Sequence, residues 1–136
     1  MFWSWPRELP AWRVVLVSDK IQLDGMVFYG FHGASSAERE VGQRFVVDLE
    51  VHRELRAAGL SDNLDDTVSY TRLYELVKVV VEGPSRNLLE NVAETIARQV
   101  LEKFDLEAIR VTVRKPEVPI KGSVLDHAAV EIFRER

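Results

Sequence analysis

Two glutamates, a tyrosine and a lysine stand in four short clusters spread along the chain, and together they have the side-chain types that proton transfer requires. Glu38 follows the small-residue run of FYGFHGASSAEREVGQ (residues 28–43). Tyr70 closes DNLDDTVSY (62–70), Glu90 lies in NLLENVAETIA (87–97), and Lys115 lies in VTVRKPEVPIKG (111–122). Each also has an ordinary structural reading. Glu90 follows Asn87 by three residues, the capping-box spacing in which the glutamate reaches back to the backbone N–H of the cap. Lys115 shares its parity with Ile109, Val111 and Val113, so its stem starts toward an apolar side, although strand-end lysines commonly snorkel to water. Glu38 alone reads as a solvated loop carboxylate, and Tyr70 as a ring packed at a helix entrance.

Other chemistries find little support in these residues. The chain has no cysteine, which removes disulfides, thiolate zinc sites and thiol nucleophiles and agrees with a reducing compartment, the cytoplasm by default. His32, His52 and His127 form no HxH or HxxxH pair, so the spacing expected of a metal site is missing. Neither GxGxxG nor GxxxxGK[ST] occurs to cradle a phosphate. Eighteen basic and 22 acidic side chains leave a net charge of −4, with no like-charge block of the kind that binds nucleic acid.

The four clusters need a scaffold, and 136 residues suffice for one domain that buries about 68–70% of its unfolded surface. Ile21 and Leu23, then Met26 and Phe28, change parity at Gly25, as in a strand with a glycine bulge. Phe45, Val47, Leu49 and Val51 alternate with polar residues in a second, half-buried strand. The loop between them, from Gly30 to Gln43, is long for a hairpin, which points to function. Leu73, Leu76, Val77 and Val80 follow helical spacing up to Gly83-Pro84, and Leu89, Val92, Ala93, Ile96, Ala97, Val100, Leu101 and Phe104 trace a second helix. Ile109, Val111 and Val113 mark a third strand, and Ala128, Val130 and Ile132 a fourth. The order ββααββ predicts an α+β domain, a four-stranded antiparallel sheet with two helices on one face. Asp48, Glu50, His52, Arg110, Thr112 and Arg114 line the other face, which is either wet or the inside of a larger barrel.

Residues 1–19 stand apart from this pattern and read as an N-terminal extension to a domain spanning 20–136. Trp3, Trp5 and Trp12 with Pro6 and Pro10 fit either an arm packed on the domain or a neighbouring subunit, or a disordered tail. Val14 to Val17 is too short an apolar run to span a membrane, and the prolines break any amphipathic helix.

From about Lys20 to the C-terminus the four clusters resemble dihydroneopterin aldolase of the folate pathway. HGxxxxE ends at Glu38, DTVxY at Tyr70, NLLE at Glu90, and KPxxPIxG begins at Lys115. The resemblance implies the tunnelling fold, in which four subunits join sheets edge to edge around a channel and two such rings stack into an octamer. It implies that Glu90 takes two parallel N–H bonds from the amino-pyrimidinone edge of a pterin, with a backbone contact from Leu89. Lys115 becomes the proton-transfer residue, Glu38 the partner of the substrate side chain, and Tyr70 a ring at the pterin face supplied by a neighbouring subunit. The implied reaction is retro-aldol cleavage of 7,8-dihydroneopterin without metal, Schiff base or other cofactor, with epimerisation at C2′ as a companion. Lys121 departs from the family pattern, where many members carry proline. Two rival expectations remain. A dihydroneopterin triphosphate 2′-epimerase would use Arg39, Arg72, Arg114 and Lys121 as cations at the pocket mouth, and a non-catalytic pterin-binding protein would keep only the fold.

Overall fold

A computed structural model describes residues 19–136; the proposed extension, apart from Asp19, lies outside the described residues. Four strands form one antiparallel sheet in the order β1-β2-β3-β4: β1 Lys20–Gly30, β2 Gln43–His52, β3 Ala108–Lys115 and β4 Ala128–Glu135. Two long helices, α3 Tyr70–Val81 and α4 Leu89–Lys103, connect β2 to β3. The architecture is the expected α+β arrangement, with additions in the connections. α1, Ser36–Val41, occupies the long β1–β2 loop, while α2, Arg56–Ser61, and a single 3-10 turn, Leu64–Asp66, precede α3. None of these three short pieces buries a residue, so they carry no apolar periodicity that a sequence pattern could reveal.

The core forms where alternation in the strands meets helical periodicity. Phe45, Val47, Leu49 and Val51 of β2 and Ile109, Val111 and Val113 of β3 are buried to 1% exposure or less. They share one face because β2 and β3 pair Leu49 with Val111 and Val47 with Val113. Leu73, Val77 and Val80 of α3 and Val92, Ala93, Ile96, Ala97 and Val100 of α4 cover that face, each large side chain contributing about 1.5–3 kcal/mol of apolar burial. The bulge in β1 keeps its residues in step. Leu23 pairs with Leu49 and Met26 with Val47, so one extra residue on β1 returns Met26 and Phe28 to the core side. Gly25 takes φ +72° there, and its N–H donates to the Asp48 carboxylate at 2.7 Å.

The polar face is a ladder of cross-strand charges. Glu50 accepts from Lys20 at 3.1 Å, His52 at 2.9 Å and Arg110 at 3.3 Å, and Arg114 pairs closely with Asp48. The Arg114 hydrogen bond holds the Asp48 carboxyl below its ordinary value, against the opposing effect of burial. β1 and β4 end the sheet, each leaving an edge without a partner strand among the described residues.

Candidate active site

The end of the sheet where β1 leaves and β2 enters collects the loop residues. Ser35 caps α1: its hydroxyl accepts from the Glu38 N–H at 3.3 Å, and the Glu38 carboxylate accepts from the Ser35 hydroxyl at 3.1 Å and backbone N–H at 3.4 Å. This is a capping box. Glu38 uses only Oε1 for it. Oε2 accepts from the Lys115 ammonium at 2.7 Å and from the Gln43 amide at 3.0 Å. Both members of the amine–carboxylate pair are largely withdrawn from water, with side-chain exposures of 13% for Lys115 and 11% for Glu38. Lys115 therefore turns inward instead of snorkelling. Burial would raise the pKa of Glu38, but hydrogen bonds from Lys115 and Gln43, the Lys115 charge and the Ser35 N–H together bring it down to about 2.

Close approach explains the glycine before this loop. A Cβ on Gly33 would lie 2.5 Å from the Glu38 Cβ and Cδ, so any other residue there pushes Glu38 away from Lys115. Arg39 donates to the carbonyls of Gly33 at 2.9 Å and Ala34 at 2.8 Å, holding the loop from the other side.

Glu90 reaches the same end of the fold by a different route. The α3–α4 connection is tied to the β1–β2 loop through the Gly33 N–H, which donates to the Arg86 carbonyl at 3.0 Å, and through the Ser85 hydroxyl, which donates to the Phe31 carbonyl. α4 starts at Leu89 with Leu88 as its cap and no side-chain capping bond. The Asn87–Glu90 capping box does not form, and the Glu90 carboxylate is exposed with no hydrogen-bond partner among the described residues. Of the capping spacings at Ser35–Glu38 and Asn87–Glu90, the first closes and the second does not. Glu90 thus keeps both oxygens free of partners among the described residues, at a helix N-terminus, and Leu89 beside it is half-buried.

Tyr70 lies elsewhere. It is 63% exposed and borders an apolar cleft of about 540 Å³ with Ile21, Leu55, Leu64 and Val68. Ile21 is at the start of β1, where Lys20 pairs with His52, and Glu38 follows the other end. At about 3.3 Å per residue, the length of β1 puts the two ends roughly 30 Å apart. A separate cleft of about 550 Å³ reaches Glu38, with Tyr29, Gln43 and Arg44 among its lining residues. One chain brings Glu38, Lys115 and Glu90 to one end and leaves Tyr70 at the other.

Three residues of this site lay outside the expected set. Ser35 was legible as the first position of an S-x-x-E box. Gln43 stands in the quoted cluster, yet nothing local marks its amide as a donor to both Glu38 and, at 3.3 Å, the His32 carbonyl. His32 is fully buried, a placement decided by distant partners. Among the described residues no group of three or more histidine or acidic side chains is arranged to hold a metal ion, and no helix is long and apolar enough to cross a membrane.

An antiparallel four-stranded sheet backed by two helices defines an α+β domain, and the half-buried amine–carboxylate pair at the mouth of its first hairpin gives it a candidate proton-transfer site. The particular group follows from comparison: the chain belongs to the dihydroneopterin aldolase (FolB) family, whose model matches residues 21–133, and it is an enzyme of the lyase class. It is 50% identical over 121 residues to dihydroneopterin aldolase 1 of Arabidopsis thaliana, covering 88% of this chain and 83% of that protein. It is 43% identical over 119 residues to dihydroneopterin aldolase of Bacillus subtilis strain 168, covering 87% of this chain and 98% of that one. The crystal structure of E. coli dihydroneopterin aldolase in complex with neopterin superposes with a TM-score of 0.79 at 28% identity, over 85% of this chain and 98% of that chain.

Because the Glu38 carboxyl lies lower in the folded chain than its ordinary 4.5, its contribution to stability is complete above pH 4.5 and disappears as the pH falls toward 2. Carboxyl-detected NMR should give a Glu38 midpoint near about 2. Glu38→Gln should lose that limb of the stability profile, and a midpoint at or above 4.5 would contradict the pairing with Lys115.

Proposed function

We propose that this chain cleaves the C1′–C2′ bond of 7,8-dihydroneopterin in a retro-aldol reaction that yields 6-hydroxymethyl-7,8-dihydropterin and glycolaldehyde. The observation that carries the reading is the Lys115–Glu38 contact at 2.7 Å, set at the same end of the fold as the exposed Glu90, in a chain of this family. Glu90 accepts two parallel N–H bonds from the amino-pyrimidinone edge, a fork that carboxylates match well, and Leu89 adds a backbone contact. The C2′ hydroxyl loses its proton and becomes the aldehyde carbonyl as the C1′–C2′ bond breaks. The released electron pair passes through C6 to N5, so the pterin's own imine is the electron sink and neither metal nor Schiff base is needed. Protonation at C1′ then restores the C6=N5 bond. Lys115 carries these protons. Glu38 orients the Lys115 amine and offers its Oε2 edge to the substrate hydroxyls, while the pocket keeps both reacting groups in register. Rotation of the cleaved aldehyde before the bond re-forms gives epimerisation at C2′ at the same site.

Tyr70 completes this site only from a neighbouring subunit, where its ring faces the pterin and its hydroxyl donates or accepts. Edges on β1 and β4 without a partner strand among the described residues, and exposed apolar side chains at both ends of β1, support such an association. Tyr29, Phe31 and Val41 are 49%, 41% and 70% exposed at one end, and Leu60 and Leu64 are 83% and 64% exposed near Tyr70 at the other. An octamer of two stacked rings satisfies both surfaces.

A triphosphate substrate fits less well. Of the four cations expected at the pocket mouth, Arg39 is bound to loop carbonyls, Arg72 lies over the Phe104 ring at 5.1 Å, and Arg114 pairs with Asp48 on the opposite face of the sheet. A protein that only binds pterin has no use for a lysine held half-buried against a glutamate, since withdrawing a charge pair from water costs free energy.

Incubation with dihydroneopterin should release glycolaldehyde, and with its triphosphate should give little turnover. Lys115→Ala should lower kcat by about 10²–10⁴-fold with pterin affinity retained; undiminished turnover would remove lysine from the reaction. Glu90→Ala should weaken pterin binding by at least about 100-fold, as two charge-assisted bonds of about 1.5–3 kcal/mol each require. Sedimentation should find an assembly larger than a monomer, and a stable, active monomer would rule out a shared Tyr70.

A further inference from the structure

Several features stand outside this chemistry. The charged ladder of Glu50, Arg110 and Asp48 is satisfied within the sheet, and the groove between α3 and α4 around Arg72 and Phe104 shows nothing that would fill it. The buried imidazole of His32 is different, because it touches both halves of the site without facing either.

The His32 ring has 0% exposure and uses both nitrogens. Nε2 lies 2.6 Å from the carbonyl of Val81, the last residue of α3, and Nδ1 accepts the backbone N–H of Arg86 at 3.0 Å. A carbonyl needs a donor and an N–H needs an acceptor, so the ring is the neutral Nε2–H tautomer. Burial, which lowers the pKa, and the Arg86 charge outweigh the raising effect of the Val81 carbonyl, which agrees with a neutral ring. The Phe45 ring meets it edge-on at 5.3 Å, fixing its plane against the core. Gly30 makes room: a Cβ there would come within 2.7 Å of the Val81 carbonyl oxygen and 3.0 Å of the imidazole Cδ2.

We infer that His32 is a positioning residue that sets the separation of the two half-sites, splicing the loop that carries Glu38 to the connection that starts the Glu90 helix. The backbone that carries the ring leads directly through Gly33 to Glu38, and the Nε2 edge of the ring holds the Val81 carbonyl. The other grips Arg86, a turn before Glu90. The neighbouring bonds from Gly33 to Arg86 and from Ser85 to Phe31 close the same seam, and the imidazole also fastens it to the end of α3. A substrate held by its ring at Glu90 must present its side chain to Lys115 within a fraction of an ångström, and a misplacement of about 1 Å costs about 100-fold in rate. The seam therefore governs turnover more than ring binding. This inference rests on the pterin reading above.

The test compares the full-length wild type with His32→Leu and His32→Asn. It measures the affinity for a pterin lacking the side chain, kcat with dihydroneopterin, and the imidazole ¹⁵N signals of the wild type. His32→Leu should keep ring affinity within about threefold while kcat falls about 100-fold. His32→Asn, whose amide oxygen keeps an acceptor for the Arg86 N–H, should recover at least about tenfold of that loss. Unchanged kcat in His32→Leu, ring affinity falling in step with kcat, or no rescue in His32→Asn would overturn the role. If His32→Leu does not fold, His32→Asn against wild type still decides, since equal losses of affinity and kcat would mark a general structural defect. Wild-type ¹⁵N signals showing a protonated Nδ1 would also overturn it, whatever the substrate. A wild type that binds no pterin at all would instead sink the functional reading, a result distinct from each of these.

Discussion

A carboxylate taken out of water needs donors for its oxygens, and the loop end of this fold is organised around meeting that need at Glu38. Ser35 serves one oxygen, and Lys115 and Gln43 serve the other. Each donor comes from a different place: the cap of α1, the end of β3 and the start of β2. The pair can form only if the strands end in register and the loop folds back tightly, which is why Gly33 has no room for a side chain. The same demand turns a common pairing into a chemical device, because an amine held at 2.7 Å from a carboxylate has a defined position from which to pass a proton.

The sheet acts as a ruler for everything else. Pairing of β1 with β2, corrected by the bulge at Gly25, carries the core face along the full strand. It also separates the Glu38 end from the Tyr70 end. A single chain packs a full core but does not by itself bring Tyr70 to the proposed active site, and exposed apolar groups stand at both ends. Packing in this fold is met by side chains buried within one chain, whereas the site as proposed asks for a second.

Much of the scaffold was legible because its elements carry their own periodicity. Alternation in residues 45–51 and 109–113 and helical spacing from Leu73 to Val80 each describe a buried stripe, and the structure buries those stripes. α1 and α2 were not legible because neither buries a residue. The spacings at Ser35–Glu38 and Asn87–Glu90 were visible but not distinguishable, since whether a box closes depends on where each helix begins. Asn87 loses the cap because α4 begins two residues beyond it, at Leu89, with Leu88 as its cap. The inward stem of Lys115 followed from parity alone, whereas its partner, 77 residues away in the chain, did not.

Local pattern determined the strands, the two long helices, the absence of thiol chemistry and the four clusters that carry the family resemblance, because each of these is written in neighbouring residues. Tertiary structure alone decided which glutamate is half-buried and paired and which is left open, that a histidine becomes a neutral splice between two loops, and that Tyr70 stands at the far end of the sheet. Those outcomes depend on desolvation and on donors contributed from distant segments. Such quantities exist only once the chain has folded.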